Sequence, residues 1–323
     1  MKFVRVLLLS VCLIGGWISN AAAQSTRPIR FIVPYAAGGA VDVYARAVAG
    51  PMGKHLNRTI VIENFGGAGG NIGVARVAKA QPDGDTLLFH NMAMATNPSL
   101  YKELDHDPLK DFEYVGVVAH SVMAMVARRN LPANDLAQFI AYAKSQREKI
   151  NIGDGGIGGP THLCALLFMS AIGTKFTSIS YKGGAPAMND LVAGQIDLLC
   201  DGTATAGPQI TGGKVKALGV SSKARLPTLS NVPTLAEGGL PGFELTPWSG
   251  IYAPKSTPRS VLQQLEAALQ SALADKALIA NFEKLGIIPA SREQASSAGL
   301  QAHLKAEVSK WSTLLKEAGV EPN

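Results

Sequence analysis

The sequence of 323 residues has little cysteine, few aromatic residues and no run of basic residues. It contains three cysteines, and aromatic residues make up 6% of the chain. The 30 lysine and arginine residues are scattered and are not interleaved with aromatic side chains, which disfavours nucleic acid as a partner. With 24 acidic residues, the formal net charge is +6, which suits an anionic ligand without identifying one.

Motifs of several enzyme classes are missing as well. The chain contains no G-x-x-x-x-G-K-[ST], no G-x-S-x-G, and neither H-x-x-x-H nor H-E-x-x-H among its six histidines. The cluster Asp105-His106-Asp107 could bind a metal, but it has no partner at ligand spacing and is interpreted as a solvated acidic turn. No catalytic constellation is found, so we predict that the protein is not an enzyme and uses no cofactor or metal.

The N-terminus predicts export. Lys2 and Arg5 precede an apolar run over residues 6–18, and Ala21-Ala22-Ala23 follows. This pattern is typical of a secretory signal peptide, here residues 1–23, whereas an uncleaved anchor is the disfavoured alternative. Without Lys2 and Arg5 the formal net charge is 28 minus 24, or +4. The predicted location is a bacterial periplasm, where NAD(P) and ATP are scarce, which weighs against a cofactor enzyme.

The cysteines fit the same compartment. Cys12 lies in the predicted signal peptide, and Cys164 and Cys200 remain in the mature chain. An even number of cysteines in an oxidising compartment favours a disulfide between Cys164 and Cys200. The alternative is two separate buried thiols.

Strand-like and helix-like segments alternate along nearly the whole chain. The first set has strands at 29–35, 59–64 and 86–90 with helices at 40–56 and 71–80. The second set has strands at 150–153, 176–183, 196–201 and 215–222, with helices at 159–173 and 185–195. Extended apolar stretches at 112–129 and 243–255 separate the two sets, and the chain from Pro258 onward is helical in pattern.

This order predicts an α/β fold of two lobes, each a mainly parallel sheet flanked by helices, with two crossing strands as the hinge. We expect lobe one to comprise residues 24–120 and 250–323, and lobe two residues 121–249. Ligands of open α/β sheets bind at the carboxyl ends of the strands, so two facing lobes predict a cleft that can close on a ligand.

Four glycine-rich loops stand at predicted strand-to-helix turns, namely 34–42, 63–73, 153–163 and 180–187. The third, from Gly153 to Gly158, matches the G-x-G-x-x-G spacing of dinucleotide sites, but no acidic residue follows about 20 positions on, where Tyr181 and Lys182 end a strand. Glycine lets the backbone approach a ligand, and a helix N-terminus offers free N–H groups to an anion. The set therefore predicts an anion site, the alternative being that the glycines only form tight turns.

Several segments resemble one known family. They include "IRFIVPYAAGGAVDVYAR", "IENFGGAGGNIG", "QPDGDTLLF", "GGPTHL", "YKGGAPAMNDLVAGQIDLLCD", "VPTLAEGGLPGFE" and "WSGIYAPKSTP". In this order they resemble the Bug family of periplasmic solute-binding proteins, the TctC-like receptors of tripartite tricarboxylate transporters. The resemblance covers the mature chain and implies a Venus-flytrap protein that holds a small carboxylate by backbone amides, hydroxyls and ordered waters.

The resemblance also implies which residues contact the ligand. Transferred position by position, the implied ligand-binding residues are Tyr35, Ala37, Gly38, Gly39, Asp42, Ala68, Gly69, Asn71, Gly158, Gly159, Thr161, His162, Tyr181, Gly183, Gly184, Ala185 and Asp201.

Four of the side chains in these loops allow two interpretations. The Thr161 hydroxyl either donates to a carboxylate or belongs to an ordinary first helical turn. His162 either supports Thr161 or is a packed side chain, and Asp42 either contacts the ligand or stabilises its helix dipole. Lys182 could neutralise an anion, or it could lie at the edge of the cleft or in an ion pair between the lobes.

The implied partners are a small carboxylate and the membrane permease subunits of a tripartite tricarboxylate-type transporter, with the receptor itself a monomer. A di- or tricarboxylate, an aromatic carboxylate and an acidic amino acid all remain open as ligands. A periplasmic sensor that presents its ligand-bound form to a signalling partner is the alternative function.

Overall fold

The computed structural model describes residues 27–322, so the predicted signal peptide lies outside the described residues. Over that range, every helix is too short or too polar to traverse a lipid bilayer.

The chain alternates between strands and helices, and most of these elements occur where the sequence pattern predicts them. The elements before the first crossing are β1 (Ile29–Val33), α1 (Ala40–Leu56), β2 (Ile60–Asn64), α2 (Asn71–Ala78), β3 (Thr86–Asn91), α3 (Ala93–Thr96) and β4 (Phe112–Ser121). The elements between the crossings are β5 (Met123–Arg128), α4 (Leu136–Gln146), β6 (Asn151–Asp154), α5 (Pro160–Ile172), β7 (Thr177–Ser180), α6 (Gly184–Ala193), β8 (Leu198–Gly202), α7 (Thr203–Thr211) and β9 (Val215–Val220). The last elements are β10 (Trp248–Pro254), α8 (Arg259–Leu273), α9 (Lys276–Lys284), β11 (Ile287–Pro289) and α10 (Ser297–Glu317).

Two sheets organise these elements. The first has the order β11-β4-β10-β3-β1-β2, and the second has the order β7-β6-β8-β5-β9. We call the half built on the first sheet lobe one and the half built on the second sheet lobe two. In lobe one β1 pairs in parallel with β2 and β3, and in lobe two β6 pairs in parallel with β7 and β8. The remaining pairs, which involve β4, β5 and β10, are antiparallel, because these strands carry the chain between the lobes.

The two crossings run side by side. β4 ends at Ser121 in lobe one and β5 begins at Met123 in lobe two, so the first crossing is a single residue long. The second crossing precedes β10, and its Pro247 carbonyl accepts a hydrogen bond of 2.8 Å from the Ser121 backbone N–H. Leu245 N–H donates to the Ser221 carbonyl at 3.2 Å. Both crossings are thus tied together at one place, as a hinge requires.

Helix α8 shows how lobe one buries its sheet. Its buried residues recur at helical spacing and form one apolar stripe, comprising Leu265, Ala268, Leu269, Ala272 and Leu273. The stripe packs on β4, where a Cβ at Gly116 would lie only 2.7 Å from Leu269 Cδ2. Glycine at this position therefore lets the helix approach the strand closely.

Helix α7 is one of the elements that the sequence pattern did not predict, together with α3, α4 and β11. Its sequence, Thr203 to Thr211, includes an internal proline, a glycine and three threonines, all poor helix formers. The tertiary structure fixes its first turn, because Thr203 N–H donates to the Val122 carbonyl at 3.0 Å and the Thr203 hydroxyl donates to the Leu285 carbonyl at 2.9 Å. Packing therefore overrides local propensity here.

A disulfide links Cys164 in α5 to Cys200 in β8, with the Cα atoms 6.0 Å apart. Both residues are completely buried. The bond joins the helix that follows the third glycine loop to the strand that ends beside α7. It therefore fixes two segments of lobe two whose ends reach the cleft.

Candidate functional site

Four helices begin at the cleft between the lobes, and each has glycine as its N-cap. The caps are Gly39 before α1, Gly159 before α5, Gly183 before α6 and Gly202 before α7. None of these four helices has a side chain that caps its first turn. Because the first N–H groups of a helix have no partner within the helix and carry a partial positive charge, the cleft suits an anion.

These helix ends surround a small cavity of about 50 Å³. Residues of both lobes and of the second crossing line it: Tyr35, Gly39, Ala40, Val41, Tyr44, Asn91, Ser121, Met123, Gly155, Gly159, Pro160, Thr161, Gly184, Asp201, Gly202, Pro247 and Ser249. No lysine, arginine or histidine is among these described residues. Any anion held here is therefore bound by backbone N–H groups and hydroxyls.

Lobe one supplies the tyrosines and an amide. The Tyr35 hydroxyl donates to Asn91 Oδ1 at 3.2 Å, and its ring packs against His90 with centroids 5.5 Å apart. Burial raises the pKa of Tyr35 and of Tyr44, so both stay neutral hydrogen-bond donors. Ser121 lies near the buried Tyr44 hydroxyl, but no atom of residues 27–322 has hydrogen-bond geometry with it. The Tyr44 hydroxyl can therefore donate a hydrogen bond to a bound molecule.

Lobe two supplies a hydroxyl at the start of α5. The Thr161 hydroxyl oxygen accepts a hydrogen bond of 2.6 Å from Gly155 N–H, which closes the third glycine loop. Since this bond uses a lone pair and not the proton, Thr161 can still donate toward the cavity. The structure therefore allows both interpretations of Thr161 at once, as a loop support and as a donor.

Asp201 is the one carboxylate in the cavity wall described by the structure, and it is 2% exposed. Its Oδ1 accepts from Gly202 N–H at 2.8 Å, and its Oδ2 accepts from the Thr205 hydroxyl at 2.7 Å. Burial raises the pKa of Asp201 to about 6, although these two hydrogen bonds oppose the shift. The group therefore titrates close to neutral pH.

The lobes touch each other at the mouth of the cleft. Ala36 N–H donates to the Lys182 carbonyl at 2.8 Å, and the Thr96 hydroxyl donates to the Gly158 carbonyl at 2.7 Å. The Tyr101 hydroxyl donates to the Ile157 carbonyl at 3.4 Å. These bonds join loops of lobe one to loops of lobe two, so the structure represents a closed arrangement.

Six of the residues implied by the family resemblance line the cavity: Tyr35, Gly39, Gly159, Thr161, Gly184 and Asp201. Three others, Ala37, Gly38 and Ala68, lie exposed at the surface. Gly183 is the N-cap of α6, and Ala185 lies in the first turn of that helix. A Cβ added to Gly38 would lie 3.7 Å from the Ala185 Cβ, so Gly38 and Ala185 are close across the cleft.

Asp42 supports its own loop and lies outside the cavity lining. It accepts hydrogen bonds from Gly38 N–H at 2.9 Å, Arg46 Nε at 2.8 Å and Asn64 Nδ2 at 2.9 Å. Burial favours the neutral acid, but these three donors and the Arg46 charge outweigh it and lower the pKa of Asp42. Asp42 is thus a charged anchor of the first glycine loop, consistent with its position in the first turn of α1.

Four other residues implied by the family resemblance form hydrogen bonds with other protein groups. Gly69 and Asn71 both accept hydrogen bonds from Asn97 Nδ2, and the Tyr181 hydroxyl donates to Asp190 at 2.7 Å. His162 Nδ1 accepts from Gly158 N–H at 3.3 Å, and burial lowers the pKa of His162. His162 is therefore a packed side chain that holds the loop.

Two charged features noted in the sequence lie away from the cavity lining. The Lys182 side chain is exposed. In the acidic turn, Asp107 accepts from Lys110 at 2.8 Å and His106 packs on Phe112 with centroids 6.3 Å apart. No group of three or more metal-ligating side chains occurs between residues 27 and 322.

Sequence reasoning missed four polar side chains of the cavity: Tyr44, Asn91, Ser121 and Ser249. Asn91 ends a buried strand, a position at which ligand-binding residues of parallel sheets are common, so its place carried a usable signal. Tyr44 lies one turn into α1, and the two serines lie on the crossing strands. Nothing in their local sequence indicates that they meet.

The fold and the cleft together define a two-lobe solute-binding protein. The family model for the tripartite tricarboxylate transporter family receptor, TctC, matches residues 44–320. The solved periplasmic binding protein BugD is 43% identical, with a TM-score of 0.90, and the match covers 93% of this chain and 100% of that chain. The chain therefore belongs to the TctC family of periplasmic solute-binding receptors, which also contains the Bug proteins.

Two further solved structures of similar proteins contain carboxylates. MatC from Rhodopseudomonas palustris, solved with bound malate, is 33% identical with a TM-score of 0.86, covering 90% of this chain and 99% of that one. Another R. palustris protein, solved with adipate, is 31% identical with a TM-score of 0.87, covering 92% and 99%.

Proposed function

We propose that this receptor binds a small carboxylate in the periplasm and delivers it to the permease subunits of a tripartite tricarboxylate-type transporter. The observation that carries the proposal is the meeting of the N-termini of α1, α5 and α6 around a cavity whose described lining contains no basic side chain. Malate and adipate in two similar proteins support a dicarboxylate as the first candidate. Export through a cleaved signal peptide, residues 1–23, is part of the same proposal.

The proposed contacts come from both lobes. Gly39 and Gly159 offer the first turns of α1 and α5, and Gly184 offers the first turn of α6. The hydroxyl groups of Thr161 and Tyr44, which also line the cavity, add two further donors. A carboxylate carries two acceptor oxygens with about four lone-pair sites, so it can use several of these donors together. One carboxylate that is held by both lobes would stabilise the closed arrangement.

A thermal-shift screen of carboxylic acids tests the proposed ligand class. A ligand at about 1,000 times its Kd adds ~4 kcal/mol to the free energy of unfolding, which raises Tm by roughly 5–10 °C for a chain of this size. The matching amides are the controls, because they have the same skeleton without the charge. A set of neutral compounds that raises Tm while no acid does so contradicts the proposal.

Delivery to a permease is tested in cells. Deleting either the receptor gene or the permease genes is expected to abolish uptake of the radiolabelled acid that the screen identifies. Uptake that persists without the receptor, together with loss of a transcriptional response to the acid, would favour the sensor function instead.

Thr161→Val is expected to weaken ligand binding roughly 10- to 100-fold, because a hydrogen bond to a charged group contributes ~1.5–3 kcal/mol. The variant also removes the acceptor of Gly155 N–H. Thr161→Ser keeps the hydroxyl and should retain affinity within about threefold. Lys182→Ala should have the smallest effect, because its side chain is exposed.

Calorimetric titration of the three variants gives the comparison. Loss of binding in Lys182→Ala together with wild-type affinity in Thr161→Val would show that a lysine charge, and not the α5 N-terminus, holds the ligand.

A further inference from the structure

Asp201 places a carboxylate in a cavity that is proposed to receive another carboxylate. Both of its oxygens are bound, to Gly202 N–H and to the Thr205 hydroxyl, but each oxygen has a second acceptor position. Asp201 also lines the cavity, so these positions can face a bound molecule. The role of Asp201 toward such a ligand rests on the proposed function.

No positive side chain within residues 27–322 forms an ion pair with Asp201. The groups close to it are the Tyr44 hydroxyl from α1, the Gly184 backbone at the start of α6, Ala124 paired with it in β5, and Thr205 in the following helix α7. None of the ion pairs found between residues 27 and 322 includes Asp201. The other titratable groups in the wall, Tyr35 and Tyr44, stay protonated.

Two carboxylates that share a site at close range do not both remain ionised. Repulsion raises the pKa of one of them, so that a single proton is shared between the two groups. The ligand must reach the helix N-termini as an anion to gain from their partial positive charge. The proton therefore falls to Asp201, where burial has already raised the pKa to about 6.

The groups that are hydrogen-bonded to Asp201 keep their partners when Asp201 is protonated. The Thr205 hydroxyl lies 2.7 Å from Asp201 Oδ2 and also 2.9 Å from the Gly202 carbonyl. When Oδ2 becomes O–H, the Thr205 hydroxyl can turn to the carbonyl and keep an acceptor. Gly202 N–H still donates to Oδ1. No buried donor loses its partner when Asp201 is protonated.

We propose that Asp201 binds the ligand as a neutral acid that donates a hydrogen bond to a carboxylate oxygen, and that the complex takes up one proton from solvent. The proton moves from solvent to an Asp201 oxygen, and no covalent bond in the ligand changes. Asp201 thereby becomes a residue that determines how much negative charge the cavity accepts.

Affinity is expected to fall as the pH rises above the pKa of Asp201 in the free receptor. Below pH about 6 the free receptor already carries the proton on Asp201, so this group adds no pH dependence to affinity. Above that pH the proton must be taken up on binding, and affinity falls by up to about tenfold per pH unit until the pKa of the complex is reached. Ligand release is therefore favoured at alkaline pH.

Titration calorimetry of the full mature chain with malate, and then with adipate, measures the proton directly. Binding at pH 7.5 is followed in buffers of small and large ionisation enthalpy, and the difference in heat gives the number of protons taken up. The wild type is expected to take up close to one proton and to bind at least about tenfold more weakly at pH 8.5 than at pH 6.5. Asp201→Asn keeps a donor of the same size and should show no uptake and a flat pH profile.

Thr205→Val is the second variant, and circular dichroism establishes that both variants are folded. Loss of the Thr205 hydroxyl removes a donor that favours ionised Asp201, so the fall in affinity should begin at a higher pH than in the wild type. Binding of either acid without proton uptake by the wild type overturns the inference and leaves the proposed function intact. If no carboxylate binds the wild type, the proposed function fails and the inference fails with it.

Discussion

Gly39→Val is expected to weaken carboxylate binding at least about 100-fold, equivalent to about 2.7 kcal/mol, without unfolding the protein. Gly39 lines the cavity as the N-cap of α1. A Cβ at this position would lie 3.7 Å from the backbone nitrogens of both Gly184 and Ala185, at the start of α6. The two methyl groups of valine extend further, so they obstruct these N–H groups and the approach of the lobes.

The backbone itself tolerates the substitution. Gly39 has φ −77° and ψ 169°, which is extended backbone that valine adopts readily. The obstruction lies at the interface between the lobes and not within a core, so each lobe keeps its packing. The expected defect is therefore in binding and closure rather than in folding.

Gly50→Val is the matched control for this variant. Gly50 lies in the same helix and is exposed, and a Cβ added there would meet no neighbouring element within 4 Å. Calorimetry measures affinity, and circular dichroism establishes that both variants are folded. Wild-type affinity in Gly39→Val would show that the ligand does not use the space between α1 and α6.

Replacing both disulfide cysteines by alanine is expected to lower the free energy of unfolding by roughly 3–4 kcal/mol. The bond joins residues 36 apart, and a crosslink stabilises mainly by restricting the unfolded chain. Alanine is preferred to serine because Cys164 and Cys200 are completely buried, and a hydroxyl there would need a hydrogen-bond partner.

Urea unfolding of the oxidised wild type and of the double variant measures this difference. A reducing agent should bring the wild type close to the variant and leave the variant unchanged. Equal stability of the two oxidised proteins would mean that the crosslink does not restrict the unfolded chain as expected. Labelling of the denatured, unreduced wild type should find no reactive thiol in the mature chain.

Local patterns predicted most of the fold. Helix α1 begins at Ala40 and ends at Leu56, as its pattern predicts, because the glycine before it and the polar segment after it are local signals. Helix α7 was missed, since its threonines, proline and glycine form a helix only when lobe contacts hold Thr203. Antiparallel pairing of the crossing strands was also not predicted, because strand direction depends on the path of the whole chain.

The binding residues implied by the family resemblance also divide into those that local sequence predicts and those that depend on tertiary contacts. Glycines at helix starts could be predicted, since a glycine between a strand and a helix is recognisable from its neighbours. For Asp42 and His162 the sequence offered two interpretations each, and only tertiary partners such as Arg46 decide between them. The hydrogen bond of Tyr181 to Asp190 was not predicted, because it depends on the direction of both side chains. The polar wall formed by Tyr44 and Ser121 depends on two elements far apart in the chain.

The resemblance of its motifs to a known family indicated the receptor class. By itself, the local sequence determined two α/β lobes with glycines at their helix starts and predicted an anion site there. These features depend on periodicity and on neighbouring residues, which a single chain displays directly. Only the tertiary structure decided which residues enclose the cavity, and that an uncompensated Asp201 lies within it. The burial of Asp201 and its distances to neighbouring groups are set when separate segments pack together. The local sequence around Asp201 therefore does not indicate its surroundings.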